Sequence, residues 1–350
     1  MKKTQILSLR QAAVLLASVL LLPVLTGCGA SSPHVRTNFA FDTVVSTTYY
    51  DSKDSGAVTK VMDRLEYYEK IFSRTDPESE LYAVNARLAE AVKEGTSPVT
   101  VPIRSPELYE ALKLSLDYAE KTDGAFDPTL GKLLEIYDFG GTEHAVPTAE
   151  QRKEILSHCG WQKLEISAVS RTGGVSAYPY QLTAADPQIV IDLGGMAKGF
   201  IADRLKEELK AEGVSSAIIN LGGNILVIGS KPDGKPYNIG VLKPEPGSSE
   251  NLDAFKITDA SAVTSGSYQR FFEQGGVTYH HILDPSTGLP AESGLKSVTV
   301  VTGNSAVADI LSTSFFVMGE EKASAFLENY TDIDAYFVDE NMHLSKHLHK

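Results

Sequence analysis

"QIVIDLGGMAKGFIADRLKEELKAEGVSSAIINLGGNILVIG", residues 188–229, alternates two kinds of pattern within one run. "QIVIDLGG" is a short apolar run closed by two glycines and reads as a buried strand. "MAKGFIADRLKEELKAEG" repeats apolar residues at helical spacing and ends in glycine, an amphipathic helix with its stop signal. "SAIINLGGN" and "ILVIG" read as two further strands around a second Gly-Gly break. Strand, helix and strands this close together predict an α+β chain. Outward from this run come a strand over "FAFDTVVSTTYY" (39–50) and helices over 55–72, 105–124 and 147–159. Ser105 caps the second of these and Pro106 suits its first turn. C-terminal to it, "LKSVTVVT" (295–302) is a strand, "NSAVADILSTSFFVMG" (304–319) a helix, and a last helix and strand end at "IDAYFVD". The elements mingle without strict alternation. This predicts a mixed α/β arrangement, with a large mixed sheet, flanking helices and two intimately joined lobes with the site between them.

The 350 residues carry a net charge of −13, with 42% hydrophobic and 22% charged residues. This is the composition of a folded globular chain, and the acidic balance argues against a nucleic-acid partner. Lys2, Lys3 and Arg10 precede a short apolar run ending in "LTGC", which reads as a bacterial lipoprotein signal over 1–27 with Cys28 as the lipidated residue. Its removal takes the charge to −16. Residues 28–38 then form a tether and 39–350 the folded domain. The expected location is outside the cell, lipid-anchored to the outer face of the membrane or to its periplasmic side. Cys159 has no remaining partner, so no disulfide framework exists.

Four segments could carry chemistry. In "IDLGGMAKGF" (191–200) a Gly-Gly turn opens a helix with Lys198 in its first turns, a way to hold a phosphate, or a tight turn that needs glycine for packing. "NLGGN" (220–224) is a second glycine-rich strand end. In "ADILST" (308–313) Asp309 and Thr313 share a helix face among apolar neighbours. Together they offer hard oxygen ligands of the kind Mg²⁺ takes, unless Thr313 bonds its own helix and Asp309 faces solvent. "YHHILDPSTGLPA" (279–291) holds good turn chemistry in Asp-Pro-Ser-Thr-Gly, preceded by two histidines that could act as a base. If that segment is extended, His280 and His281 point to opposite sides. Neither zinc spacing nor a serine nucleophile elbow is present.

These segments resemble the ApbE family of flavin transferases over residues 39–340. "FDT" (41–43), "FSR" (72–74), "DGAFDPT" (123–129), "IDLGGMAKGF", "NLGGN", "HILDPSTGLP" and "ADILST" stand in the family's order. The resemblance implies a Mg²⁺-dependent enzyme that cleaves the pyrophosphate of FAD, attaches FMN to a threonine or serine of a target protein and releases AMP. It implies that Asp309, Thr313 and the carbonyl of Gly195 hold Mg²⁺, and that Asp192 and Lys198 hold FAD. Gly124, Ala125 and Phe126 match its flavin-binding segment, with Phe41 and Leu283 as further contacts. His281 stands where the family has the histidine before the Asp-Pro turn and is the expected base. The family often has methionine at the position of Phe41 and an aromatic ring at that of Thr75. The chain lacks a stretch of the Asp-Gly-x-Ser/Thr-Gly-Ala-Ser/Thr kind, so the expected acceptor is another exported or membrane protein. The alternatives are an FAD pyrophosphatase and a lipoprotein that only binds flavin.

Overall fold

The structure is a computed structural model and describes residues 32–169 and 178–349. The expected leader over 1–27, Cys28 and residues 29–31 lie outside the described residues. The strand expected from Phe39 is a hairpin, β1 (His34–Ala40) and β2 (Thr43–Tyr49), turning at Phe41 and Asp42, whose φ values are 53° and 56°. Two successive left-handed residues give the turn whose twist matches a hairpin. Strand pairing therefore begins at His34, inside the expected tether. The helix expected over 55–72 is two, α1 (Ser55–Met62) and α2 (Leu65–Phe72). Val58, Val61, Met62, Leu65, Tyr68, Ile71 and Phe72 are all buried. The apolar stripe thus runs straight through the break, which is why spacing alone could not reveal it.

Helix α3 (Glu80–Glu94) starts at Ser79, whose hydroxyl accepts from the Tyr82 amide. β3 (Val99–Ile103) follows, then α4 (Pro106–Lys121), capped by Ser105 as its sequence predicts. After α5 (Gly131–Tyr137), Thr148 and Gln151 form a reciprocal capping box on α6 (Ala149–His158). β4 (Leu164–Ala168) and β5 (Tyr180–Ala184) complete a small sheet in the order β3-β5-β4.

Residues 188–195 are not a regular strand. Val190 makes one isolated bridge to Leu130. The Asn85 side chain takes both backbone groups of Ile191, at 2.8 and 2.9 Å, in place of a neighbouring strand. Ile189, Ile191 and Leu193 are still buried, so the segment looks in sequence like a core strand.

Then come α7 (Ala197–Ala211), β6 (Ala217–Leu221), β7 (Asn224–Ile228), the hairpin β8 (Tyr237–Leu242) and β9 (Asn251–Ile257), and β10 (Ser261–Gly266). The ribbon β11 (Phe271–Gln274) and β12 (Val277–His280) precedes β13 (Leu295–Thr302), α8 (Ser305–Met318), α9 (Glu320–Leu327), β14 (Asp334–Asp339) and β15 (Leu344–His347). Eight strands form one sheet in the order β1-β2-β6-β7-β10-β13-β14-β15. Each of its pairings is antiparallel, whereas the sequence pattern predicted a mixed sheet. A single crossover helix returns a chain parallel. Here β13 and β14 are joined by two helices, so the chain re-enters antiparallel.

One face of the sheet packs on α8, which buries Ile310, Leu311, Phe315 and Phe316 against Val263, Val298 and Val300. The other face is covered by β8 and β9 through Tyr237, Ile239 and Val241. From Ser32 onward the chain is one compact unit, so the two expected lobes are parts of a single body.

Candidate active site

The Gly-Gly turn lies between the Asn85-held segment and α7. Asp192 shapes it: one carboxylate oxygen accepts the Gly194 amide at 2.8 Å and the other takes Arg74 Nε at 2.8 Å. Arg74 also reaches Glu135 at 3.4 Å. The Lys198 ammonium bends back to the Gly194 carbonyl at 3.2 Å, which holds a cation over the turn.

Helix α8 faces this turn. Asp309 is only 3% exposed, so the solvent-facing alternative does not hold. Its Oδ2 accepts the Gly199 amide of α7 at 2.9 Å. Thr313 Oγ1 lies 3.2 Å from Ser265 Oγ of β10. A Cβ placed on Gly195 would be 3.6 Å from Thr313 Oγ1 and 3.1 Å from the Phe126 ring, so only glycine leaves this gap open. Gly195 thus lies beside Thr313, one helical turn along α8 from Asp309, and a carboxylate with a hydroxyl are hard oxygen donors, which suit Mg²⁺ better than a soft metal. Among the described residues no group of three or more His, Cys, Asp and Glu side chains could hold a metal. A cation here needs this mixed set of one carboxylate, one hydroxyl and backbone.

His281 follows β12 directly. Its amide donates to the Arg270 carbonyl at 3.1 Å and its Nδ1 lies 3.2 Å from the same oxygen. A carbonyl only accepts, so Nδ1 carries the proton and Nε2 keeps its lone pair. Burial, then the Arg270 and Lys198 cations, hold its pKa down at about 3. The ring also meets Phe139 edge-on at 6.5 Å. His280 turns away, as alternation predicts: its ring meets Phe316 edge-on at 5.5 Å, and burial lowers its pKa to about 4. The Asp-Pro turn forms as read, with Asp284 accepting the Ser286 amide at 2.8 Å and the Gly288 amide bonding back to the Asp284 carbonyl at 2.8 Å.

The residues assigned to flavin by resemblance divide. Gly124 has a φ of 78° beside Trp161, and Phe126 packs on Gly195, so segment 124–126 borders the turn, with Ala125 between them. Phe41 lies on the β1–β2 turn with its amide on the Glu69 carboxylate at 2.9 Å, and Thr75 is exposed next to Arg74. Leu283 is buried with Leu130, Leu133, Tyr137 and Phe272, a packing cluster under the Asp-Pro turn.

Sequence reasoning gave no role to Arg74, although it lies in the quoted "FSR", nor to Asn85, Ser265 or Arg270. Asn85 and Arg74 act on residues 106 and 118 positions away, and no local pattern marks such a pair.

The fold is that of an α+β protein built on one large antiparallel sheet, and solved structures share it. The structure of the ApbE protein of Thermotoga maritima gives a TM-score of 0.77 at 30% identity, over 90% of this chain and 97% of that one. The apo form of Pseudomonas stutzeri flavinyl transferase ApbE gives 0.75 at 27%, over 93% and 97%. The sequence profile of the ApbE family matches residues 41–337, and this chain belongs to that family. Among its relatives, a Treponema pallidum protein named FAD:protein FMN transferase is 35% identical over 290 residues, which is 81% of this chain and 76% of that protein. A Klebsiella pneumoniae protein of the same name is 33% identical, over 83% of this chain and 84% of that one.

Proposed function

We propose that this protein is a Mg²⁺-dependent FAD:protein FMN transferase. The observation that carries the reading is the packing of the Gly194–Gly195 turn, with Lys198 folded over it, against the Asp309–Thr313 face of α8. The names of its relatives support the same activity. In the reaction, the hydroxyl oxygen of an acceptor threonine or serine attacks the FMN phosphorus of FAD. A phosphoester bond forms, the bond from that phosphorus to the bridging oxygen breaks, and AMP leaves with the electron pair. His281 Nε2 takes the hydroxyl proton, and the Arg270 carbonyl keeps that nitrogen unprotonated and aimed. A bound pyrophosphate would offset the Arg270 and Lys198 contributions to its low basicity, which come second to burial. Lys198 and the turn amides hold the phosphates, and Arg74 keeps Asp192 in the conformation that shapes the turn. Asp309, Thr313 and the Gly195 carbonyl would hold Mg²⁺, which supplies charge neutralisation on the pyrophosphate when bound.

FAD hydrolysis to FMN and AMP is the second reading, favoured by the small exposed Thr75, which leaves no ring there to stack on the flavin. The full protein is incubated with FAD, Mg²⁺ and an acceptor domain carrying the Asp-Gly-x-Ser/Thr-Gly-Ala-Ser/Thr stretch. Flavin fluorescence retained on the denatured acceptor is the expected result. Equal AMP release without acceptor would establish hydrolysis, and no AMP at all would leave only flavin binding. The acceptor is expected to be an exported or membrane protein, with this chain anchored beside it through Cys28. Cys28→Ser should release the protein from the membrane fraction.

A further inference from the structure

We infer that Asp203 is the positioning residue of the cation site, setting helix α8 in register with α7 so that Asp309 and Thr313 face Gly195. This rests on the reading of Asp309 and Thr313 as metal ligands. The two helices hold each other by a reciprocal exchange of backbone amides. Gly199 and Asp203 stand one turn apart on α7, and Ser305 and Asp309 one turn apart on α8. The Gly199 amide donates to Asp309 Oδ2 at 2.9 Å. In return, the Ser305 and Ala306 amides donate to the two Asp203 oxygens, each at 2.9 Å. The acid of each helix thus satisfies amides in the first turn of the other, groups that have no partner within their own helix.

The exchange depends on close approach. A Cβ on Gly199 would be 2.2 Å from the Ser305 carbonyl oxygen. Ser305 is also tied to the sheet, since its hydroxyl donates to Asn224 Oδ1 at 2.9 Å and lies 2.8 Å from Ser261 Oγ. The start of α8 is therefore where "NLGGN", the Gly-Gly turn helix and "ADILST" meet. Two acceptor oxygens on two successive amides define both the axial position and the rotation of a helix, which one bond does not.

Stability has other sources. Phe315 and Phe316 are fully buried, and Asn304 independently caps the Val307 amide at 2.9 Å. Without Asp203 the helix remains apolar and capped but loses its registration, and a ligand set misplaced by a fraction of an ångström binds its ion poorly.

The test reads metal binding, not turnover. Mn²⁺ binding to the full chain is followed by the electron paramagnetic resonance of the free ion, with thermal melting of the same samples. Asp309→Ala should lose the site. Asp203→Ala should melt cooperatively yet bind Mn²⁺ about tenfold more weakly, the effect of removing an outer support of a ligand. Asp203→Asn, which keeps one acceptor oxygen, should fall between. A folded Asp203→Ala protein with wild-type Mn²⁺ affinity, beside an Asp309→Ala protein that has lost it, would overturn the inference and leave the metal reading intact. Wild-type affinity in Asp309→Ala would instead remove the metal reading itself. If Asp203→Ala does not fold, Asp203→Asn decides: unchanged affinity overturns the inference and weakened affinity supports it.

Discussion

Arg74 Nε and Asp192 Oδ2 meet at 2.8 Å, joining the segment after α2 to the turn that opens α7, 118 residues further on. Both side chains are less than one-fifth exposed, so the pair is only partly screened. The other Asp192 oxygen is committed to the Gly194 amide. The ion pair therefore holds the shape of the Gly194–Gly195 turn. Arg74→Ala loses a hydrogen bond between charged groups, worth about 1.5–3 kcal/mol. FAD affinity, followed by quenching of flavin fluorescence, should fall by about tenfold or more, with partial recovery in Arg74→Lys. Unchanged affinity would separate Arg74 from the turn.

Asp309 is a buried carboxylate among Ile310, Leu311, Phe315 and Phe316, and the one hydrogen bond described for its side chain is that from the Gly199 amide. Asp309→Ala should abolish FMN transfer at moderate Mg²⁺, and Thr313→Ala should raise the Mg²⁺ concentration needed for half-maximal rate. Titration of the rate with Mg²⁺ is the measurement, and a wild-type curve for Asp309→Ala would refute the assignment.

His281 keeps a free Nε2 because the Arg270 carbonyl holds its other nitrogen. General-base removal costs about 10²–10⁴ in rate. His281→Ala should lower transfer by that order while FAD binding changes by less than about threefold. Equal losses in both would make it a structural histidine.

The crossing of α7 and α8 predicts a strict requirement at Gly199. Gly199→Ala drives a methyl group into the Ser305 carbonyl, and backbone on both sides cannot rotate away. The expected loss is at or above the top of the usual overpacking range, about 3 kcal/mol. It should appear as a melting temperature lower by roughly 5–10 °C. An unchanged melting temperature would mean that the helices are not packed this closely.

Acid should weaken the fold through the histidine pair. The His280 and His281 pKa values are lowered from 6.5 to about 4 and about 3, so the unfolded chain binds the extra protons first. Their contribution is complete above pH 6.5 and is lost progressively as pH falls to about 4 for His280 and about 3 for His281. Asp203, raised from 3.8 to about 6 chiefly by burial, acts in the opposite sense, because the folded state takes up its proton more readily. Two groups outweigh one, and urea denaturation at pH 7 and pH 5 should show the lower stability at pH 5. His280→Phe, which keeps a ring against Phe316, should remove more than half of that difference, because Asp203 opposes the histidine that remains, and an unchanged difference would argue against a desolvated His280.

The sequence by itself determined much of this protein. Periodicity and caps located α4, α6, α7 and α8 and the strand β13, because these signals act within a few residues. The motif order identified the family, and alternation separated His280 from His281. Local pattern failed where the deciding partner lay far along the chain. The Asn85 side chain replaces a strand at Ile191, and the apolar stripe of α1 and α2 hides the break between them. At the site, sequence marked Asp309, Thr313, Gly195 and Lys198 as residue types. Only the tertiary structure decided that Arg74 holds Asp192, that Ser265 stands beside Thr313, and that Asp203 and Asp309 exchange helix amides. Asp203 reads in sequence as one more acid on the polar side of an amphipathic helix. Its role appears only when α8 crosses α7 at Gly199 and brings two buried amides to its carboxylate.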